Sequence, residues 1–278
     1  MKTGTEAKRG YGVFGTRRGD RAKIFFRKAR SLLYVDRCVC VGCGAELPQS
    51  VRGGLCSECL SRSIALGSDI CAKCGRIVAN EADYCDTCIN RDRHFEKARS
   101  CFVYDGVPKK LIYGLKFGGK RYLAPFLAES MTDRYLDENY DCDCVIAVPL
   151  SEKRKKKRGY NQSELLAEEI SGQLKLPLLT GALEKIRDNK AQAKLRVNER
   201  EENVRGAYVV KDKAAVKGKR ILVVDDVITT GATASEVAHM LYKAKARSVK
   251  VLTYASTRYT APSENIFDEE DVYEDEMV

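Results

Sequence analysis

The sequence predicts an α/β protein built on a parallel sheet, with a small cysteine-rich zinc-ribbon module ahead of it. Three observations support this class. Strand and helix patterns alternate between residues 144 and 255, as in parallel sheets whose strands are joined by right-handed crossovers. One apolar run in this region ends in two adjacent aspartates and a hydroxyl-rich turn. Upstream, four Cys-x2-Cys pairs lie within residues 38–92 at the spacing of zinc ribbons.

The elements of the larger domain follow in order. Weak alternation of apolar residues over 98–104 predicts a strand, and helical spacing predicts helices over 108–117 and 122–135. Polar and basic residues dominate 175–210, which we expect to be hairpin-like or irregular. A further strand is predicted over 248–255, close to the end of this domain.

The central motif occupies residues 221–233. Residues 221–224 are all apolar, which is typical of a strand buried on both faces, and we expect that strand to end where Asp225 and Asp226 follow. Helical spacing of apolar residues resumes over 235–246. Between the two patterns lies a turn of small and hydroxyl-bearing residues, namely Thr229, Thr230, Gly231, Ala232 and Thr233.

A strand, a tight turn and a helix N-terminus together form an anion site, because backbone N–H groups and the positive end of the helix dipole point at the ligand. Two carboxylates beside such a turn do not favour the phosphate itself. They suit sugar hydroxyls, or a Mg²⁺ ion held next to the phosphate. The motif therefore predicts a phosphorylated sugar, with its hydroxyls on Asp225 and Asp226. The alternative is a strand–turn–helix unit of some other α/β protein.

A second candidate ligand region follows the apolar pattern of residues 144–150, which ends in Pro149 and Leu150. A predicted loop comes next, with six consecutive basic residues at 153–158, before a helical pattern over 163–174. A basic run is often only a solvated face. The end of a parallel strand is, however, where α/β proteins bind ligands. Lys116 is either a phosphate contact or a solvated lysine at a helix end.

Composition limits the class of protein further. The 278 residues carry a formal net charge of +10, which suits nucleic acid, phosphorylated small molecules, or simply a basic soluble enzyme. No stretch has the roughly 20 apolar residues of a membrane helix, and the N-terminal residues lack a signal-peptide apolar region. We therefore expect a cytoplasmic protein without membrane insertion. Twelve cysteines in that compartment favour metal binding over disulfides.

The cysteine-rich segment is an internal repeat. Each unit begins with a Cys-x2-Cys-Gly knuckle and ends with a second Cys-x2-Cys pair, twelve residues further on in the first unit and ten in the second. Four thiolates predict a closed structural Zn²⁺ site, although they also suit iron–sulfur clusters. The four sulfurs come either from adjacent pairs, which the repeated glycine favours, or from the two central pairs, giving one or two ions. The predicted ligands are Cys40, Cys43, Cys56, Cys59, Cys71, Cys74, Cys85 and Cys88.

The remaining divisions follow from composition. Residues 1–37 form a basic N-terminal arm, residues 38–92 the cysteine module, residues 93–260 the larger domain, and residues 261–278 an acidic tail that we expect to be disordered. The arm is either an extension without a role or a contact for nucleic acid or a membrane surface. The other cysteines are not predicted to bind metal, and all but the first of them are expected to be small buried hydrophobes: Cys38, Cys101, Cys142 and Cys144.

Together these features resemble the ComF family of competence-associated proteins, in which a cysteine-knuckle module precedes a type I phosphoribosyltransferase domain. The resemblance covers residues 38–257. The basic arm, the acidic tail and the doubled knuckle depart from the pattern, so arm and tail inherit no role and the number of metal ions stays open. Besides the knuckles, the matching motifs are Leu115-Lys116-Phe117, Arg158-Gly159-Tyr160-Asn161-Gln162, Gln192 followed by Arg200 and residues 203–208, and residues 223–233.

The resemblance implies a type I parallel sheet with helices on both faces and phosphoribosyl pyrophosphate (PRPP) with Mg²⁺ as ligand. Asp225 and Asp226 would then hold the ribose hydroxyls, and residues 229–233 the 5′-phosphate. The loop that begins at Pro149 and Leu150 would bind pyrophosphate. The basic cluster 153–158, which includes Arg158, would neutralise the pyrophosphate or close over it as a lid, and Lys116 would reach a phosphate. The family is tied to DNA uptake or DNA utilisation rather than to a known reaction.

Two hypotheses remain. The protein is a phosphoribosyltransferase that uses PRPP with an unidentified acceptor, or it is a non-catalytic zinc-containing adaptor for single-stranded DNA or a DNA-translocating helicase. Binding of PRPP supports the first, and salt-sensitive binding of single strands supports the second. We do not expect a glutamine-dependent amidotransferase, because that enzyme needs an N-terminal cysteine, whereas this chain begins Met1-Lys2. A purine-salvage enzyme would not need the metal module.

Overall fold

The computed structural model describes residues 39–47, 54–78, 82–188 and 202–258. The basic arm, Cys38, the segment containing Gln192 and Arg200, and the acidic tail lie outside these ranges. Within them, the strands are β1 (Lys97–Val103), β2 (Cys144–Ala147), β3 (Leu183–Lys185), β4 (Tyr208–Val210), β5 (Arg220–Ile228) and β6 (Ser248–Ser256). The helices are α1 (Ser57–Ser61), α2 (Asp86–Asn90), α3 (Gly106–Lys116), α4 (Ala124–Asp137), α5 (Glu152–Arg158), α6 (Gln162–Leu174), α7 (Lys213–Val216) and α8 (Ala232–Lys243).

The central sheet confirms the predicted fold class. Four strands pair in the order β1-β6-β5-β2, and every pairing is parallel. The two remaining strands, β3 and β4, pair antiparallel in a separate small sheet within the segment expected to be hairpin-like or irregular. All four parallel strands therefore present their carboxyl ends at one edge, where α/β proteins bind ligands.

Helices cover both faces of the sheet, as predicted. On one face, Leu127 of α4 and Leu166 of α6 belong to a buried apolar cluster with Leu222 of β5. On the other face, Val237 and Leu241 of α8 pack against alternate residues of the same strands. Because both faces are buried, the strands are almost continuously apolar rather than alternating. Among the described residues, no helix is long and apolar enough to cross a bilayer.

Strand β5 is longer than predicted, and this changes the setting of the two aspartates. The expectation that the strand ends before Asp225 is wrong, since β5 continues to Ile228. On one side its neighbour β2 stops at Ala147, opposite Val224. On the other side β6 remains paired beyond that point, with Thr253 opposite Asp225. The aspartates thus lie within a strand, at the point where one neighbour has ended and that side of the strand is open.

The predicted basic loop is also wrong, because residues 152–158 form helix α5. A capping residue defines each end of this helix. The Ser151 hydroxyl accepts a hydrogen bond from the backbone N–H of Arg154 at 3.4 Å, and Gly159 closes the helix in the left-handed conformation with φ of 79°. Glu152 lies in the first turn and the basic side chains lie toward the C-terminus, which is the order the helix dipole favours.

The cysteine-rich segments cover the outer edge of the sheet. Strand β1 is an edge strand, and its backbone bonds to residues that follow the first cysteine unit and belong to the second. Ile64 O accepts from Val103 N–H at 2.8 Å, and Lys73 O accepts from Ala98 N–H at 2.8 Å. An uncovered edge of this kind favours pairing with other chains. The cysteine module is therefore packed on the larger domain as part of its structure.

Candidate functional site

A cavity of about 180 Å³ lies at the carboxyl edge of the sheet. Its walls include the ends of β2 and β5, the first turn of α8, the C-terminus of α3, helix α5, the start of α6, and the paired strands β3 and β4. Of the predicted ligand residues, the structure brings all but one together in this lining, namely Asp225, Asp226, Thr229, Gly231, Ala232, Thr233, Pro149, Leu150, Arg158 and Lys116. Thr230 is the exception.

The two aspartates have different partners. The Ser163 hydroxyl donates a 2.7 Å hydrogen bond to Oδ1 of Asp225, which also accepts from the backbone N–H of Asp226 at 3.0 Å. The Asp226 side chain is 5% exposed, and its Oδ2 lies 3.5 Å from the ammonium of Lys116. A cation from α3 thus compensates the more buried acid, while hydrogen bonds support the acid that faces the cavity.

Asp225 is poised to titrate near neutral pH. Burial in the cavity wall raises its pKa, and the adjacent negative charge of Asp226 raises it further, to about 7. The hydrogen bond from Ser163 opposes this shift because it stabilises the charged form. The ionised form of such a carboxylate is stabilised when hydroxyl groups or a cation bind next to it.

The turn before α8 has the geometry of an anion site. Gly231 has φ of 78°, a left-handed conformation that residues with a Cβ rarely adopt, and it precedes the first residue of α8. The Thr230 hydroxyl accepts from the backbone N–H of Ala232 at 3.3 Å, so this side chain shapes the turn instead of facing the cavity. The open N-terminus of α8 and the hydroxyl-bearing residues Thr229 and Thr233 face the cavity.

Two arginines add positive charge to the cavity lining. Arg154 and Arg158 of α5 both line the cavity. Nη1 of Arg158 donates to Oε1 of Gln162 at 2.5 Å, and its guanidinium lies 4.8 Å from the centre of the Phe117 ring. These contacts fix the arginine at the rim, between the end of α3 and the start of α6. The cavity lining therefore combines an anion-binding turn, two acids and two guanidinium groups.

Several lining residues were not predicted. Ser163 begins a predicted helical segment, but nothing in the local pattern singles it out, whereas Arg154 was predicted only as part of the basic cluster 153–158. Lys185 of β3 and Tyr208 of β4 also line the cavity, and the Lys185 ammonium lies 5.6 Å from the centre of the Tyr208 ring. Tyr104, just after β1, also lines the cavity. Only the three-dimensional pairing of β3 with β4 brings these lysine and tyrosine side chains to the site.

The cysteines form two four-sulfur clusters. In each, the ligand atoms all lie within 4.8 Å of one another, so the adjacent pairs of each repeat group together and the central grouping does not form. The first cluster contains Cys40, Cys43, Cys56 and Cys59, and the second contains Cys71, Cys74, Cys85 and Cys88. Cys101, Cys142 and Cys144 are buried elsewhere, and burial raises their thiol pKa values to between about 11 and about 12.

The clusters fit a soft ion such as Zn²⁺, which is bound by four converging thiolates. The second cluster has a further sign of negative charge. Arg76, only 6% exposed, donates from Nη2 to Sγ of Cys85 at 3.7 Å. A buried guanidinium needs a nearby anion, and a four-thiolate centre carries more negative charge than a divalent ion neutralises. The side-chain chemistry therefore agrees with an ion held by thiolates.

We predict that Ser163→Ala raises the pKa of Asp225 above its already elevated value, by about 0.5–1 unit, because a hydrogen bond to the charged form is lost. The titration of the Asp225 carboxyl carbon, followed by NMR, measures this shift. Ser171→Ala is the matched control, since Ser171 lies on the same helix and donates to Leu176 O. An unchanged titration in Ser163→Ala would show that the hydroxyl does not support the carboxylate.

Comparisons with known proteins agree with this geometry. The profile of the family described as "Phosphoribosyl transferase domain" matches residues 138–274. The chain is 28% identical to "Competence protein F" of Haemophilus influenzae over 218 residues, covering 76% of this chain and 94% of that one. It is 28% identical to "DNA utilization protein YhgH" of Salmonella typhimurium (71% and 88%) and 26% identical to "Competence protein ComFC" of Bacillus subtilis (79% and 95%).

Fold, site and family profile define a protein with a phosphoribosyltransferase-type domain. Two of these relatives match along 94% and 95% of their own length, and the matched share of this chain, 76% and 79%, is larger than the part that the profile covers. The chain is similar, over most of their length, to proteins named competence protein F, ComFC and YhgH, and in this it resembles the ComF family.

Proposed function

We propose that the cavity binds PRPP. The observation that carries this proposal is the convergence of Asp225, Asp226 and the turn at Gly231 on one cavity at the carboxyl edge of a parallel sheet. The 5′-phosphate fits the turn, where backbone N–H groups at the start of α8 favour an anion. The ribose hydroxyls fit the aspartates, and the pyrophosphate fits the side that Arg154 and Arg158 make positive.

We also propose that Mg²⁺ accompanies the ligand. Oδ2 of Asp226 is buried and accepts no hydrogen bond within the part of the chain that the structure describes. Mg²⁺ prefers oxygen ligands. Asp225 and Asp226 would position the ribose hydroxyls, whose oxygens are ligands of this kind. The ion would supply positive charge beside the pyrophosphate. Lys116, Arg154 and Arg158 then add the fixed positive charge of the protein itself.

The reaction class that this arrangement supports is phosphoribosyl transfer. The bond between ribose C1 and the pyrophosphate oxygen breaks, a nucleophile forms a bond to C1 and loses its proton, and the electron pair leaves with pyrophosphate. The chain contributes position and charge: the aspartates orient the sugar, and the basic wall stabilises the leaving group.

Calorimetric titration of the full chain with PRPP and Mg²⁺ tests the binding proposal. We expect saturable binding of one PRPP per chain, with weaker binding of ribose 5-phosphate and of pyrophosphate, because each of these occupies only part of the cavity. Absence of heat with PRPP over micromolar to millimolar concentrations would overturn the proposal. Release of pyrophosphate on addition of candidate acceptors then distinguishes a transferase from a protein that only binds the ligand.

The relatives are named for competence and DNA utilisation, and we propose that this chain also acts in DNA uptake or utilisation, in the cytoplasm, where its thiolates stay reduced. A second function, contact with single-stranded DNA or a helicase-type partner that carries it, is favoured by α5. Lys153, Lys156 and Lys157 of this helix are exposed beside the mouth of the cavity. A strand on this surface would lie next to bound PRPP.

The double variant Lys153→Gln/Lys156→Gln tests the DNA contact. If each lysine neutralises one phosphate, the affinity for an oligothymidylate falls several-fold at low salt, and the slope of log affinity against log salt decreases by about 1.4. Lys213→Gln/Lys217→Gln, two exposed lysines on and after α7, is the charge-matched control. Equal losses in both double variants would indicate an effect of net charge alone, and no loss in either would remove α5 from the proposal. Fluorescence anisotropy gives both quantities.

A further inference from the structure

We propose that the second cysteine cluster is a structural part of the ligand site, and that metal bound there sets the order of the turn that receives the sugar phosphate. The first cluster does not have this role. The expected effect of this metal on PRPP affinity rests on the proposed function. Its effect on the conformation of the turn holds whatever anion the turn receives.

The link begins with two buried side chains that follow the cluster in sequence. A Cβ built on Gly231 would lie 3.7 Å from Nε of Arg93 and 3.8 Å from Cε1 of Phe95. Both side chains are buried, Arg93 being 7% exposed and Phe95 not exposed at all. The left-handed residue of the turn thus faces the segment that leaves the second cysteine unit, and the space between them is filled by one added methyl group.

The residue between these two fixes the helix that follows the turn. The backbone N–H of His94 donates to Oγ of Ser235 at 3.2 Å, and Nδ1 of His94 lies 3.1 Å from the same hydroxyl. The His94 ring also packs against the ring of His239, one turn further along α8, with centroids 4.4 Å apart. Three consecutive residues, 93–95, therefore hold both the turn and the first two turns of α8.

The position of residues 93–95 depends in turn on the cluster. Cys85 immediately precedes α2 and Cys88 lies within it. The helix ends at Asn90, so only two residues separate it from Arg93. Cys71, Cys74 and Cys85 belong to the same buried apolar cluster as Phe95. A five-residue helix has little stability of its own, and ligation by metal is what orders short cysteine segments of this kind.

The second unit is also fixed at its other end. A Cβ on Gly75 would lie 2.6 Å from the carbonyl oxygen of Ala98, so this knuckle approaches β1 more closely than any larger residue permits. Nη1 of Arg99 donates to the carbonyl of Ala72 at 3.1 Å. With one end held on the sheet, a change in the metal centre is transmitted through α2 to residues 93–95.

The first cluster has different neighbours. Lys110 of α3 donates to the carbonyl of Gly42 at 3.0 Å, and Val107 packs beside Cys40 and Cys59. This cluster is also more open, since Cys43 is exposed whereas the second cluster is buried except for a partly exposed Cys88. It supports the start of α3, about three turns from the Lys116 end that lines the cavity. Loss of its ion is therefore expected to leave the turn unchanged.

Cys88→Ser and Cys43→Ser, each made in the full chain, separate the two roles. We expect two Zn²⁺ per wild-type chain and about one per variant, measured by elemental analysis. Amide hydrogen exchange, followed by mass spectrometry without ligand, should accelerate at least tenfold over residues 229–239 in Cys88→Ser and stay within twofold of wild type in Cys43→Ser. The affinity for PRPP should fall at least tenfold in Cys88→Ser.

Ser235→Ala keeps both clusters and removes only the link to His94, so it remains informative if Cys88→Ser does not fold. We expect it to retain two Zn²⁺ and to accelerate exchange over residues 229–239 by threefold or more, with His239→Gln giving a smaller change. Equal acceleration in both cysteine variants, or no acceleration in Ser235→Ala, would overturn the inference. If wild type binds no PRPP, the proposed function fails, while the exchange measurements still decide this inference.

Discussion

The double variant Asp225→Asn/Asp226→Asn is expected to lose at least a hundredfold in affinity for PRPP. Each carboxylate supplies hydrogen bonds to a ribose hydroxyl, and a hydrogen bond to a charged group is worth about 1.5–3 kcal/mol, or roughly tenfold in affinity or more. Amide side chains of the same shape keep the cavity but not the charge. Calorimetry with PRPP and Mg²⁺ measures the loss directly.

Two controls make this result specific. Asp133→Asn/Asp137→Asn changes the net charge equally at exposed positions of α4 and should bind PRPP like wild type. In wild type, the affinity should rise with pH through about 7, because burial raises the pKa of Asp225 to about that value and the ligand needs the ionised form. If the aspartate variant keeps its affinity for PRPP, or if the affinity of wild type does not change with pH, the two carboxylates do not contribute to ligand binding.

The same pKa predicts how stability depends on pH. Because the carboxyl of Asp225 binds its proton more tightly in the folded chain, its contribution to stability is largest below the unfolded pKa of 3.8 and falls as the pH rises to about 7. A single Asp225→Asn variant escapes this loss and should unfold at a higher temperature than wild type above pH 7. Lower ligand affinity together with higher stability is the pattern expected of a site residue.

The central motif could be predicted because everything it needs is contiguous. The apolar run of β5, the acids and the turn at Gly231 lie within residues 221–233, so a local pattern fixes both their structure and their neighbourhood. The end of β5 was misplaced because it depends on its partners. Pairing with β6 carries the strand through both aspartates, whereas β2 stops beside Val224.

The cavity residues that were not predicted depend on contacts between distant parts of the chain. Lys185 reaches the site only because β3 pairs with β4, and no periodicity reports that pairing over a span of more than twenty residues. Ser163 contacts Asp225 across a sequence separation of 62 residues. Helix α5 could have been predicted, because Ser151 and Gly159 are ordinary capping residues. The run of basic residues between them was interpreted as a loop instead.

The grouping of the cysteines shows what spacing alone leaves undecided. Both groupings satisfied the sequence separations, because a short chain can close either loop. The structure decides through packing: the two knuckles lie against different elements, with Gly42 beside α3 and Gly75 against β1. Each knuckle is therefore brought to the second pair of its own unit. The same packing gives the two clusters different neighbours, on which their different proposed roles depend.

The second large effect concerns Glu138, just after the end of α4, which joins the cysteine module to the sheet. Its carboxylate pairs with Lys97, with Nε of Arg99 at 3.1 Å and with Nη2 of Arg134 at 2.9 Å. Arg134 also donates to the carbonyl of Leu66 at 2.8 Å. Three cations from the sheet edge and α4 thus converge on one acid that is 15% exposed.

Glu138→Gln should lower the free energy of unfolding by about 2–3 kcal/mol, because the neutral amide leaves three partly buried cations without their anion. For a domain of this size the melting temperature would fall by roughly 5–10 °C. Asp137→Asn, the exposed neighbour, is the control and should change stability by less than about 0.5 kcal/mol. Thermal unfolding followed by circular dichroism measures both.

The pH dependence of this effect identifies its cause. Burial raises the pKa of Glu138, but the hydrogen bond from Lys97 and the charges of Arg99 and Arg134 outweigh it and hold the pKa below its usual range. The stabilisation is therefore present above the ordinary glutamate pKa and disappears as the pH falls through the lowered value. Wild type and Glu138→Gln should converge in stability under acid. A difference that persists at low pH would mean that the glutamate acts through packing, and that the cysteine module is held on the sheet by other contacts.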